Sequence, residues 1–283
     1  MMKSYPFYLV NVFAESHFGG NPLAVFPNAD GLSDATMQAI ACQFNLSETV
    51  FFNKGTKGAA VNLRIFTPSY ELPLAGHPIL GSAFVAKSLQ HLDDEFTLNT
   101  LAKQVNVCTD GDHVAFRLSG YTARIGAATH DELAQLVGLA TCDIAEQATW
   151  VNSGTEQLLL QVFDKEKLYS AKVNADSLQA LCTKDNALEM LYLWYDDAEN
   201  ECVYVRLFFM QGGVVIQDSG TGSACANLGA YFISQGNYPI TRRIIQGDDM
   251  GRPNRLTLKV DSKQNIHVGG RVIKVGQGEL LVP

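Results

Sequence analysis

One arrangement occurs twice in this chain and limits what it can fold into. Strand-like runs lead into a short glycine-containing turn and then into a helix built of small residues. The first copy reaches Leu74-Ala75-Gly76-His77-Pro78, with a helix from about Pro78 to Gln90 that carries Gly81, Ser82, Ala83 and Ala86. The second reaches Gln217-Asp218-Ser219-Gly220-Thr221-Gly222-Ser223, with a helix from about Ser223 to Gln235 that carries Ala224, Cys225, Ala226, Gly229 and Ala230. A helix covered in small side chains can be approached closely from several sides. Both are therefore expected inside a sheet or barrel. The matching order of elements points to an internal duplication with a cleft between the copies, although few residues are identical.

The other segments fit this plan. Residues 7–13, 22–27 and 49–52 read as strands, and 61–66 alternates as a half-buried strand. Ser33 caps a helix with Asp34 in its first turn and Met37, Ile40, Ala41 and Phe44 at helical spacing. That helix stops near Asn45. Further strands are expected at 96–98, 114–118, 149–152, 157–162, 188–194 and 202–209, with short helices at 131–139 and 175–182. The chain closes with strands near 242–246, 255–260, 265–268 and 271–275.

With 283 residues, 47% of them hydrophobic, the chain is long enough for two domains. The break is expected near residue 120, giving 1–120 and 121–270. The last strand, about 271–283, can be added to the first domain. The net charge is −8, and no run of Lys and Arg supplies the basic field that nucleic acid requires. No apolar stretch reaches membrane-spanning length, and no secretory leader is visible, so no membrane is expected and the cytoplasm is the expected place. The six cysteines, Cys42, Cys108, Cys142, Cys182, Cys202 and Cys225, contain no Cys-x-x-Cys pair. They read as buried or half-buried free thiols, and no metal is expected.

Candidate chemistry gathers at the two glycine turns and at Glu48. A helix N-terminus offers unpaired backbone N–H groups and a partial positive charge, and glycine lets an anion come close. Two such ends facing one cleft would hold a small carboxylate; two ordinary helix starts are the plainer reading. Glu48, between a helix and an apolar strand, suits proton transfer if its environment raises its pKa, or is a loop carboxylate beside Ser47. His77 can relay a proton or stabilise an oxyanion, or bond a nearby backbone carbonyl. Asp218 is a second acid/base, an orienting group for His77, or a turn residue bonded to its own backbone. Ser223 can be a simple N-cap. His17, Asn21 and Tyr70 are candidates to line a pocket. No Gly-x-Ser-x-Gly elbow is present. Gly220-Thr221-Gly222 lacks the third glycine and the βαβ setting of a dinucleotide site.

Several blocks in order resemble the phenazine-biosynthesis (PhzF-like) family of the diaminopimelate-epimerase-like superfamily. They are Asn11-Val12-Phe13 with Gly20-Asn21-Pro22-Leu23-Ala24-Val25; Leu46-Ser47-Glu48-Thr49; Arg64-Ile65-Phe66-Thr67-Pro68 with Glu71 and Gly76-His77-Pro78; Asp218 to Ala224; and Gln246-Gly247, Gly251-Arg252-Pro253 and Val268-Gly269-Gly270. The resemblance implies an α+β fold of two pseudo-symmetric domains, each a barrel-like, mostly antiparallel sheet around a central helix. It also implies a homodimer, no cofactor, and an active site between the domains. It assigns acid/base catalysis to Glu48, with His77, Asp218 and Ser223 as its companions. Backbone groups at Gly76, Gly222 and Ser223 become substrate-binding, and Asn21, read above as lining a pocket, is counted with them. The superfamily's racemases use two cysteines, but the corresponding positions here are Ala75 or its neighbour, and Ser219, so a two-thiol mechanism is not expected. The expected activity is a cofactor-independent isomerisation of a small carboxylic acid by Glu48. Epimerase or lyase chemistry in the same cleft, or a binding protein without turnover, are the alternatives.

Overall fold

A computed structural model describes residues 2–56 and 58–283. The described chain divides into two compact units. One runs to Leu118 and takes in Val268–Pro283; the other is Ser119–His267.

The first unit contains β1 (Lys3–Val12), β2 (Asn21–Phe26), α1 (Asp34–Phe44), β3 (Glu48–Lys54), β4 (Val61–Phe66), β5 (Glu71–Leu72), α2 (Gly76–Gln90), β6 (Glu95–Asn99), β7 (Gln104–Asp110) and β8 (His113–Leu118). The second contains β9 (Thr122–Ile125), α3 (His130–Val137), β10 (Thr149–Asn152), β11 (Glu156–Gln161), α4 (Lys165–Ser170), α5 (Ala175–Asp185), β12 (Met190–Asp197), β13 (Cys202–Gln211), β14 (Val214–Asp218), α6 (Gly222–Ser234), β15 (Ile240–Gln246) and β16 (Asn254–Val260). The last strand, β17 (Ile266–Val282), continues into the first unit, where it runs antiparallel to β1.

The strand pairings repeat step by step. In the first unit β1 and β2 are antiparallel, β2 and β3 parallel, β3 and β4 antiparallel, β4 and β5 antiparallel, β4 and β6 parallel, and β6 and β7 antiparallel. In the second unit β10 to β16 follow the same sequence of directions. Parallel neighbours need a crossover. Helix α1 makes the first crossover in one unit and α5 in the other; α2 and α6 make the second. The internal duplication expected from the order of elements is thus present in the topology.

Helix α2 packs against β1, β2, β3, β4, β7 and β8, and ten of its 15 residues are buried. A helix enclosed in this way needs small residues. A Cβ on Gly81 would lie 2.6 Å from Leu23 Cδ2 and 3.1 Å from the Cγ2 atoms of Val10 and Val12. In α6, where ten of 13 residues are buried, a Cβ on Gly229 would lie 2.9 Å from Leu258 Cδ1. The fold is the two-fold repeated, helix-centred α+β architecture of the diaminopimelate-epimerase-like class.

Some elements differ from the sequence expectation. Helix α2 begins at Gly76, so His77 lies within its first turn and not ahead of it. Strands β7 and β14 are additional, as are the short β5, β9 and α4. The two closing strands expected at 265–268 and 271–275 are one continuous strand. Of the six cysteines, Cys42, Cys108 and Cys142 are exposed, which corrects the expectation of buried or half-buried thiols. Cys108 alternates outward on β7, and Cys42 lies on the outer side of α1. Among the described residues no helix is long and apolar enough to cross a membrane.

Candidate active site

In the first unit, three of the expected residues meet around one imidazole. Ser33 caps α1 by accepting from the Thr36 N–H, and Asn45 ends the helix in the left-handed region at φ 50°. That reversal delivers Glu48 as the first residue of β3, in parallel register with Leu23. Asn21 opens β2, paired with Val12. His77 arrives from the first turn of α2 and is 4% exposed. Its Nε2 lies 3.3 Å from Glu48 Oε2, and its Nδ1 lies 3.4 Å from Asn21 Nδ2.

Burial pushes the His77 pKa down to about 3. The ring is therefore neutral near pH 7, so its 3.3 Å approach to Glu48 is a polar contact and not an ion pair, and the two atoms are not aligned as a hydrogen bond. With the Asn21 amide as donor, Nδ1 accepts and Nε2 keeps the proton. The Nε2–H then lies beside the Glu48 carboxylate. This differs from a histidine bonded to a nearby backbone carbonyl. Asn21 itself is 1% exposed, with its amide aimed at His77.

In the second unit the Asp218–Ser223 turn is braced by Gln246, which is fully buried. Gln246 Oε1 accepts from the Thr221 N–H at 3.1 Å, and Nε2 donates to the Asp218 carbonyl at 2.9 Å. Those two main-chain partners fix which end of the amide is which. Nε2 also lies 3.0 Å from Thr221 Oγ1, so that hydroxyl accepts from Gln246 and donates to Asp218 Oδ2. The Asp218 carboxylate is thus oriented by Thr221. The turn-type bond to its own backbone, from the Gly220 N–H, is long at 3.5 Å. Replacing Gln246 by Leu would leave the Thr221 N–H and the Asp218 carbonyl without their partner. An unfolding free energy lower by about 2–4 kcal/mol is expected from two such buried groups, read by urea denaturation. An unchanged midpoint would show that the turn holds without this brace.

The N-termini of α2 and α6 share a feature that sets them apart. Helices α1, α3, α4 and α5 all carry a side-chain cap, from Ser33, Thr129, Asp164 and Asn174. The N-cap positions of α2 and α6 are Ala75 and Thr221, and neither side chain caps its helix. The first-turn N–H groups, which include those of Gly76, Gly222 and Ser223, lack the intrahelical partners that later residues have. Ser223 lies inside α6 and is not its N-cap. Its Oγ accepts from Gln157 Nε2 at 3.1 Å.

The remaining candidates fall outside these groups. His17 stacks edge-on against exposed Phe18, and Tyr70 is exposed. Gln246 and Gln157 were not among the candidates read from sequence. A polar residue in an otherwise apolar strand is the signal that could have found Gln157, in Glu156-Gln157-Leu158-Leu159-Leu160. Among the described residues no group of three or more His, Cys, Asp and Glu side chains is disposed to hold a metal ion.

The model of the phenazine biosynthesis-like protein family (PhzC-PhzF) matches residues 10–278. The chain belongs to that family. An uncharacterized isomerase of Pasteurella multocida is 47% identical over 285 residues, covering 100% of this chain and 96% of that protein. A trans-2,3-dihydro-3-hydroxyanthranilate isomerase of Pseudomonas fluorescens is 28% identical, covering 98% and 99%. A solved PhzF-family phenazine biosynthesis protein of Bacillus anthracis shares the fold, with TM-score 0.85 at 22% identity over 99% of this chain and all of that one. This PhzF-family protein is an isomerase. Neither Ala75 nor Ser219 supplies a thiol.

Proposed function

We propose that the chain isomerises a small unsaturated carboxylic acid by moving one proton between two carbons, with Glu48 as the base that removes it. The observation that carries this reading is the Glu48–His77–Asn21 arrangement. A carboxylate at the start of a strand lies 3.3 Å from a buried, neutral imidazole whose other nitrogen faces a buried amide. Such a carboxylate can take a C–H proton, and the electron pair left behind moves into the conjugated system. The proton returns at a second carbon from Glu48, so nothing is gained or lost overall. An uncapped first helix turn favours a carboxylate, and the first turn of α6 adds the Ser223 hydroxyl. Asn21 acts through His77 and not on the substrate directly.

The substrate class is supported by the relative from Pseudomonas fluorescens, whose name gives trans-2,3-dihydro-3-hydroxyanthranilate as its substrate. The test is to incubate the protein with that compound and a set of small unsaturated and amino carboxylic acids, and to follow isomer formation by NMR. Conversion of at least one acid is expected. Ligands that bind with no isomer formed and no C–H exchange would favour a binding protein instead.

A further inference from the structure

We propose that Gln157 is a positioning residue that turns the Ser223 hydroxyl proton outward, so that Ser223 is set to donate to an acceptor atom of the substrate. The inference rests on the reading of Ser223 as a substrate-touching residue, and it concerns a chain of amides within the second unit.

The chain starts at Asn227, fully buried on α6. Its Oδ1 lies 2.8 Å from the backbone N of Ser153, which can only donate. Its Nδ2 lies 2.9 Å from the carbonyl of Val151 and 2.8 Å from that of Thr155, which can only accept. Three main-chain groups therefore determine which end of the Asn227 amide carries the protons. Nδ2 also faces Gln157 Oε1, sharing one of the two protons already turned to those carbonyls. Turning the Gln157 amide over would set N–H against N–H, so Nε2 must face the other way. There it meets Ser223 Oγ at 3.1 Å. Ser223 therefore accepts from inside the protein. Its hydroxyl makes no other hydrogen bond among the described residues, so its own proton is left for an outside partner.

The polarity of Ser223 is thus inherited from the backbone through two buried amides, and Gln157 is only 1% exposed. A serine free to rotate would serve a donor or an acceptor equally. The outward proton is matched by a carboxylate or carbonyl oxygen, whereas a substrate offering only N–H groups there would leave that proton unpaired.

Two experiments test this. In a neutron map from deuterium-exchanged crystals, two deuterons are expected on the Gln157 atom that faces Ser223, with the hydroxyl deuteron pointing away from Gln157. A hydroxyl deuteron aimed at Gln157 would overturn the inference, whatever the substrate proves to be. The second experiment is a cycle of Gln157→Glu, Ser223→Ala and the double variant, assayed on trans-2,3-dihydro-3-hydroxyanthranilate. The introduced carboxylate accepts the Ser223 proton, so KM should rise about 10-fold or more with kcat little changed. The defect should narrow as the pH is lowered and that carboxyl becomes able to donate. In the Ser223→Ala background the same change should add less than about 2-fold. An equal rise in both backgrounds would mean that Gln157 only supports the fold, and would overturn the proposal. A wild type that leaves the compound unchanged would count against the proposed reaction, while the neutron map still decides the polarity of Ser223.

Discussion

Glu48→Gln is expected to lower turnover by about 10²–10⁴-fold with little change in KM. The substitution keeps the size of the side chain and its place at the start of β3, and it keeps an oxygen that can accept from His77. Only the ability to hold a proton reversibly is lost. The change therefore removes an interaction made in the transition state, which lowers kcat and kcat/KM together. Glu48→Asp keeps the carboxylate but withdraws it by one methylene from the His77 N–H, 3.3 Å away in the wild type. An intermediate loss is expected there. A Glu48→Gln protein that turned over at the wild-type rate would remove Glu48 from the mechanism.

His77 should make the folded protein acid-sensitive, and the sign follows from its burial. Its folded-state pKa is lowered from 6.5 to about 3. Between those values the unfolded chain binds a proton that the folded chain does not, so stability falls as pH falls. The contribution of the neutral buried ring is present in full above pH about 6.5 and is lost progressively towards pH about 3. Over that whole window the loss amounts to several kcal/mol. Urea unfolding of wild type and His77→Gln, at pH steps from 7 to 4, measures it. The wild-type stability should fall more steeply than that of the variant below pH about 6.5. Parallel curves would show that His77 titrates normally in the fold. The same burial means that no activity limb near pH 6.5 should disappear in the variant.

The fold was readable where local chemistry repeats. Two small-residue helices behind glycine turns announced a duplicated, helix-centred architecture before any coordinate. Ser33 and Asn45 marked both ends of α1 correctly. The additional elements had weaker signals. Strand β7, Gln104-Val105-Asn106-Val107-Cys108-Thr109-Asp110, does alternate, and its burial follows that alternation residue by residue. Its apolar positions are only valines, however, and no large side chain marks the period. The β13–β14 hairpin turns through Gly212 and Gly213, both at positive φ. Beyond the turn, Val214 and Ile216 lie partly exposed, so no buried face marked the second strand.

The candidate groups were legible as residue types and not as polarity. Glu48, His77 and Asn21 are far apart in sequence, and only the strand register and the first turn of α2 bring them around one imidazole. The neutrality of His77 comes from burial that no spacing could reveal. The braces Gln246, Gln157 and Asn227 act through main-chain partners, and a main-chain partner leaves no letter in the sequence. Their donor and acceptor ends became readable only once the backbone carbonyls and N–H groups were placed.

The central claim is that Glu48 moves a proton on the substrate, and solvent deuterium tests it most directly. Wild type and Glu48→Gln would be incubated in D₂O with trans-2,3-dihydro-3-hydroxyanthranilate, and the isomer recovered for NMR. Deuterium at the newly formed C–H of the wild-type product, with neither isomer nor label from Glu48→Gln, is the expected result. Isomer and label formed equally by both proteins would contradict the account.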